Sequence, residues 1–91
     1  MNQKDVSDNL IGKTVTWTSQ SHGSKKTKTG TVVALVHGGV SPDRLSIVTS
    51  GKYRTSNSMP YPGLPRDHNS FLVNVNGDLY WPRVSLLEVV E

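Results

Sequence analysis

The stretch Ser70 to Val90, SFLVNVNGDLYWPRVSLLEVV, decides the fold. Phe71, Val73 and Val75 alternate with their neighbours at a period of two, which predicts a half-buried strand. Asn76-Gly77 follows, and this pair favours a tight hairpin turn because both residues tolerate a positive φ. A short return strand over residues 79–81 is therefore expected to pair with the first one.

The end of the same stretch predicts a helical turn followed by the last strand of the sheet. Pro82 has no N–H to donate, so we expect strand pairing to stop there. Residues 83–85 are long enough for one tight helical turn, which a preceding proline favours. Residues 86–90 are apolar and β-branched, and they are expected to return to the sheet as its last strand.

Two clear strands are predicted upstream. In the first, over residues 14–18, Val15 and Trp17 alternate with threonines, which is typical of an antiparallel strand with one buried face. The second covers residues 27–36, and its apolar end predicts a central position in the sheet. Gly30 interrupts it, and we expect a bulge or a sharp bend there.

The middle of the chain predicts less regular structure. A third strand is expected over residues 45–49, with a short irregular strand over 52–55. Residues 50–69 are rich in turn-forming residues and are expected to form a long loop, and loops of that length are often functional. Residues 1–9 are polar and are expected to be a flexible segment, so that one domain spans residues 10–91.

The composition limits the class of protein. The chain has 91 residues, 34% of them hydrophobic, and a net charge of +3, which allows one modest core and weakly favours an acidic partner. It has no cysteine, which excludes a disulfide scaffold and a thiolate metal site and fits a cytoplasmic location. The longest apolar run, residues 32–36, is too short to span a membrane. His22, His37 and His68 are widely spaced, so we expect no metal site and no cofactor.

Two segments resemble the SH3-like superfold in its KOW or Tudor form. Residues 12–36 combine a turn, a Val-X-Trp strand, a basic loop and the glycine-centred run KTGTVV. Residues 81–87, WPRVSLL, are similar to the proline-led turn before the last strand of such barrels. The resemblance implies an all-β fold: a small SH3-like barrel of five to six antiparallel strands with one short 3-10 turn near the C-terminus. Barrels of this type serve many unrelated functions, so the fold alone implies no activity.

Two sets of side chains are candidates for binding a partner. In the first, Lys25, Lys26 and Lys28 lie among hydroxyl groups in a predicted loop, which suits contact with phosphate. The second set joins cations to aromatic rings, as both nucleic-acid sites and protein interfaces do. Its members are Lys52, Tyr53, Arg54, Tyr61, Arg66, Tyr80, Trp81 and Arg83. The largest apolar side chains, Trp17, Phe71 and Trp81, are also expected in the core.

Nothing in the sequence predicts catalysis. The run over residues 66–70, RDHNS, contains Ser, His and Asp, but side chains this close in sequence seldom converge as nucleophile, base and orienting group. We expect them to order the loop through local hydrogen bonds instead. The protein is therefore predicted not to be an enzyme.

Two hypotheses for function follow. The first is a binding module that engages nucleic acid or a nucleoprotein complex through basic and aromatic loops. The alternative is a protein–protein inhibitor or adaptor from a phage or mobile element, which blocks a host complex such as a defence (CRISPR-type) nuclease. The small size and basic composition are similar to those of phage and mobile-element accessory proteins. No membrane partner is expected, and an unpaired edge strand could support a homodimer.

Overall fold

Six strands dominate the computed structural model, which describes residues 1–21, 23–55 and 65–90. The strands are β1 (Thr14–Ser21), β2 (Ser24–Val36), β3 (Arg54–Thr55), β4 (Ser70–Val75), β5 (Asp78–Tyr80) and β6 (Glu88–Val89). They form one mixed sheet in the order β3-β5-β4-β2-β1-β6. The predicted all-β class is confirmed. Within the described ranges no ladder joins β3 to β6, so the sheet is open at both edges.

Short helical turns connect the strands. Four are 3-10 turns, at Gln3–Asp5, Asp8–Leu10, Pro42–Arg44 and Val84–Leu86, and one is a single α-helical turn, α1, at Ser46–Thr49. The turn at Val84–Leu86 confirms the helical turn predicted after Pro82, one residue further along. Among the described residues, none of these helices is long and apolar enough to cross a membrane.

The long strand β2 holds the sheet together. Its first half pairs with β1 and its second half with β4, and Thr31 belongs to both ladders, which confirms the central position predicted for this strand. A Cβ at Gly30 would lie within 3.0 Å of the Asn74 carbonyl oxygen, so only glycine allows β4 to approach this closely. The register shift lies between Val32 and Ala34, so a bulge at Gly30 is wrong in its position, and the alternative, a sharp bend at Gly30, stays a prediction.

The hairpin between β4 and β5 forms as predicted. Asn76 and Gly77 both have a positive φ, 53° and 92°. The Asn74 side-chain oxygen accepts a hydrogen bond from the Gly77 N–H at 2.8 Å, which fixes the turn. β5 ends at Tyr80, before Pro82, as the missing proline donor requires.

Apolar side chains are buried on both faces of the sheet. The first cluster consists of Val6, Val15, Trp17, Val32, Phe71, Val73, Val84 and Leu87. The second consists of Val36, Leu72 and Trp81. Because Leu72 and Phe71 point to opposite sides of β4, the prediction that β4 is buried on one face only is wrong.

The predicted strand over residues 45–49 is also wrong. This segment is the end of a 3-10 turn followed by α1, and Leu45, Ile47 and Val48 pack against the second core cluster. Short apolar runs do not distinguish a strand from a helical turn. Here Pro42 starts a turn, and the helical spacing of Leu45 and Val48 then allows both side chains to reach the same cluster. This segment is what covers the second face of the sheet.

The strand β3 corrects a further detail. It pairs with β5 in parallel, so the prediction that all the strands are antiparallel is wrong for this pair. β3 lies at the edge of the sheet beyond β5, and β4 stands between the two strands in sequence. A connection that crosses to the far side of a hairpin in this way allows the two paired strands to run in the same direction.

The first nine residues contact the body of the domain. Val6 is buried in the first core cluster, and the α-amino group of Met1 donates a hydrogen bond to the Leu87 carbonyl at 2.8 Å. The flexibility predicted for residues 1–9 stays a prediction. Of the long loop predicted over residues 50–69, residues 56–64 lie outside the described residues.

Candidate functional site: a basic groove beside the edge of β1

The three lysines of the first candidate set lie on a strand. β1 continues to Ser21 and β2 begins at Ser24, so the predicted lysine-rich loop is wrong. The polar composition of this stretch is typical of a loop, but eight residue pairs join β1 to β2 and override it. Because side chains alternate along a strand, Lys25 lies on the opposite face of β2 from Lys26 and Lys28.

Lys28 is engaged within the protein. Its Nζ lies 5.4 Å from the centroid of the Tyr80 ring and donates a hydrogen bond to Ser19 Oγ at 3.3 Å. Tyr80 in turn meets Trp17 edge-on, with ring centroids 5.9 Å apart. Lys28 thus packs over the pair of aromatic rings, and Trp17 is only 5% exposed.

A groove of about 640 Å³ lies beside the edge of β1 and brings together two of the predicted cations. We call it the basic groove. Its lining residues are Trp17, Thr18, Ser19, Lys25, Pro82, Arg83 and Leu86. Among the residues that the structure describes, no carboxylate lines the groove, and Leu86 presents an apolar side chain that is 45% exposed. The groove therefore combines positive charge with apolar surface, and it favours an anionic partner.

A second hollow of about 420 Å³ shares Arg83 with the basic groove. Its lining residues are Gln3, Arg66, His68, Arg83, Val84 and Ser85. The Arg66 guanidinium is committed to internal contacts: it donates to the Pro82 carbonyl at 2.9 Å and the Trp81 carbonyl at 2.8 Å, and it lies 3.9 Å from the centroid of the Trp81 ring. Burial, and then the nearby charge of Arg83, lowers the pKa of Arg66. Arg66 thus holds the chain segment that forms one wall of the groove.

The Ser, His and Asp side chains of residues 66–70 do not assemble as a catalytic triad. The Ser70 hydroxyl is fully buried and accepts a hydrogen bond from Trp81 Nε1 at 2.6 Å. His68 Nδ1 donates to the exposed Asp67 carboxylate at 3.0 Å, and this hydrogen bond lowers the pKa of Asp67. The Asn69 side chain accepts from the N–H of Gly38 at 2.9 Å. These bonds order the segment, although they reach further along the chain than the predicted local contacts.

The remaining predicted residues lie at the other edge of the sheet. Arg54 donates from Nε to Asp78 at 2.7 Å and from its guanidinium to the Asn76 carbonyl at 3.3 Å, which ties β3 to the hairpin. Lys52 Nζ lies 5.5 Å from the centroid of the Tyr53 ring. Tyr61 lies outside the described residues. The structure thus divides the described members of the second candidate set. Arg83 lines the basic groove, and Arg66, Tyr80 and Trp81 lie next to its lining residues, away from the edge that holds Arg54.

No cluster of three or more His, Cys, Asp or Glu side chains that could hold a metal ion occurs in the part of the chain that the structure describes. The groove itself includes Thr18, Ser19, Pro82 and Leu86, none of which the sequence singled out as binding residues. The sequence predicts Leu86 as the first residue of the last strand, but it ends the 3-10 turn, where consecutive side chains point in different directions, and it is exposed beside the buried Leu87.

Comparisons with protein-family models, with curated proteins and with solved structures found no match for this chain.

Proposed function

We propose that this chain is a non-enzymatic binding module that engages a protein partner through the basic groove. The observation that carries the proposal is the combination of Lys25, Arg83 and the exposed Leu86 in one concave surface that no carboxylate of the described residues lines. Protein interfaces are enriched in Arg and join apolar contact to polar groups at the rim. A partner surface with carboxylates and at least one apolar side chain would be complementary to this groove.

Nucleic acid, alone or in a nucleoprotein complex, is the second candidate. Lys25, Lys26 and Arg83 are exposed cations, and Lys and Arg are the usual contacts to phosphate. Single-stranded nucleic acid also needs open aromatic faces for stacking, but Trp17 and Trp81 are only 5% and 2% exposed. Because cations alone would then carry the binding, a protein partner fits the groove better.

The finer fold assignment belongs to the same proposal. An SH3-like barrel is supported by the strand β2, which two ladders share, and by the 3-10 turn between Pro82 and β6. A cytoplasmic location and a role as a phage or mobile-element inhibitor or adaptor of a host complex stay predictions from the sequence.

Affinity capture from a bacterial lysate, with and without nuclease, tests the proposed function. We expect a protein that the wild-type chain retains after nuclease treatment and that a Lys25→Ala/Arg83→Ala double variant loses. A Lys4→Ala/Arg44→Ala double variant removes the same charge from exposed positions outside the groove and should retain it. Loss of the captured protein on nuclease treatment would favour nucleic acid. Equal capture by the two double variants would refute a role for the groove.

A salt titration separates the two candidates further. Binding of a labelled oligonucleotide through several phosphates requires the logarithm of the affinity to fall steeply and linearly with the logarithm of the salt concentration. We expect little binding of a 20-nucleotide single strand at physiological salt. Tight binding with a steep slope, reduced in the Lys25→Ala/Arg83→Ala variant, would place nucleic acid first.

A further inference from the structure

The outer edge of β1 is only partly paired. β2 pairs with β1 along its whole length, from Thr14 to Ser21. On the other side β6 pairs with β1 only at Val15 and Thr16. The second half of β1 therefore has an edge without a partner strand in the described structure.

The hydrogen bonds near the start of β1 show which backbone groups face that open edge. The Lys13 carbonyl accepts from Val32 on the β2 side, whereas the Thr14 carbonyl accepts from Val90 on the β6 side. Backbone groups alternate in direction along a strand, so even-numbered residues of β1 point toward the β6 side. The N–H and C=O of Thr18 and of Gln20 consequently point outward, beyond the end of the β6 ladder.

This open edge lies in the basic groove. Thr18 and Ser19 line the groove on the strand side, and Pro82, Arg83 and Leu86 line it on the other. An exposed strand edge can hydrogen-bond an extended peptide, and neighbouring side chains then determine which peptide binds. Here the described side chains include two cations and no carboxylate, which selects for negative charge.

We propose that the basic groove accepts an extended acidic segment of a partner protein, which adds to the sheet as a strand beside Thr18 and Gln20. The inference rests on the proposed function and names its mode of binding and its ligand. Lys25, Arg83 and Leu86 all line the groove, so carboxylates of the added strand can approach the two cations and its apolar side chains can contact Leu86. A second copy of this chain fits less well, because its net charge is also positive.

Binding of a fluorescent peptide of alternating Glu and Val residues, eight residues long, tests the proposal. We expect saturable binding by the wild-type chain and at least tenfold weaker binding of the corresponding Lys-Val peptide. Two further peptides are N-methylated, one on all its Glu residues and the other on all its Val residues. Each loses the N–H donors along one edge of the extended peptide and keeps its charge. Only one edge can pair with β1, so one of the two peptides should lose at least tenfold in affinity and the other less. Equal binding of both, or no binding of the parent peptide, would overturn strand addition.

A protein variant gives an independent test of the same edge. Thr18→Pro removes an outward N–H that no strand uses, and proline is tolerated at such edge positions. We expect this variant to keep its circular dichroism spectrum and to bind the Glu-Val peptide at least tenfold less tightly. Thr18→Ala removes the same hydroxyl but keeps the N–H, so the affinity that Thr18→Pro loses beyond Thr18→Ala measures the backbone donor, and equal losses in the two variants would overturn strand addition. If Thr18→Pro does not fold, the N-methylated peptides on the wild-type chain decide the question.

The two proposals fail in different ways. If the Lys25→Ala/Arg83→Ala variant loses its captured protein but Thr18→Pro and N-methylation change nothing, the groove binds protein without strand addition, and the further inference is overturned alone. If a labelled oligonucleotide displaces the peptide and binds more tightly than it does, nucleic acid is the ligand and both proposals fail. Self-association by analytical ultracentrifugation, abolished by Thr18→Pro, would replace the acidic partner with a second copy of the chain.

Discussion

Replacing Trp81 by alanine tests how the second face of the sheet is held together. Its indole is 2% exposed and packs with Val36 and Leu72, Nε1 donates to Ser70, and the Arg66 guanidinium stacks on the ring. The ring is therefore a centre on which apolar packing, a buried hydrogen bond and a cation–π contact converge. Trp81→Ala removes all three at once and leaves a cavity beneath the segment that ends in α1.

The expected loss of stability follows from these contacts. A buried tryptophan removes about 150–250 Å² from water, which at about 25 cal/mol per Å² corresponds to roughly 4–6 kcal/mol as an upper bound. Large-to-small changes at buried aromatic residues measure about 3–5 kcal/mol, and we expect that range. A chain of this size has a total stability of about 5–14 kcal/mol, so the variant should be close to the limit of folding. Its melting temperature should fall by about 15–25 °C.

Urea denaturation followed by far-ultraviolet circular dichroism measures this loss, and the fluorescence of Trp17 gives a second probe. A Ser70→Ala variant isolates the hydrogen bond, because it leaves the buried Nε1–H without its acceptor, and it should cost about 1–3 kcal/mol. Leu86→Ala, at a position 45% exposed, is the control and should change stability by no more than about 0.5 kcal/mol. A Trp81→Ala variant with an unchanged urea midpoint would show that the ring is not part of the core.

Three smaller predictions concern the sheet. Gly30→Ala should cost about 1–3 kcal/mol or more by urea denaturation, since its Cβ would meet the backbone of β4, and an unchanged midpoint would contradict the close approach of the strands. Gly77→Ala should cost about 1–2 kcal/mol, because the residue has a φ of 92°, and a smaller loss would mean that the hairpin turn readily changes type. Arg54→Ala should cost at most about 1 kcal/mol because its ion pair with Asp78 is exposed, and a larger loss at low salt would show that β3 is essential for stability.

The sequence predicts best the elements whose signal is local. The turn at Asn76-Gly77, the end of pairing before Pro82, and the alternation of Val15 and Trp17 with threonines each depend on a few adjacent residues, and all are confirmed. The segment over residues 45–49 fails because its conformation depends on a distant cluster that it covers. A five-residue segment with three apolar side chains contains no local information on whether such a cluster exists.

The candidate site is harder to predict than the fold for a related physical reason. The sequence identifies Lys25 as a cation among hydroxyl groups and Arg66 and Arg83 as cations near aromatic residues, but their roles depend on which contacts the folded chain offers. The Arg66 guanidinium makes intramolecular contacts because two backbone carbonyls and the face of the Trp81 ring lie within its reach. Lys28 likewise makes an intramolecular contact, with the Tyr80 ring. Among the described residues, Lys25 and Arg83 line a groove without a carboxylate to pair with. Which cations are engaged within the protein is thus a property of the three-dimensional structure.

The open edge of β1 follows from a mismatch in strand length. β1 has eight residues and β6 has two, so β6 cannot cover the part of β1 beyond Thr16. Exposed strand edges of soluble proteins invite pairing with other chains, and charged side chains beside them oppose unwanted partners. Lys25 and Arg83 stand beside this edge, so they would repel a second copy of a basic chain and attract an acidic strand. In the proposed mode of binding, the same two side chains would protect the edge from self-association and define the partner that it accepts.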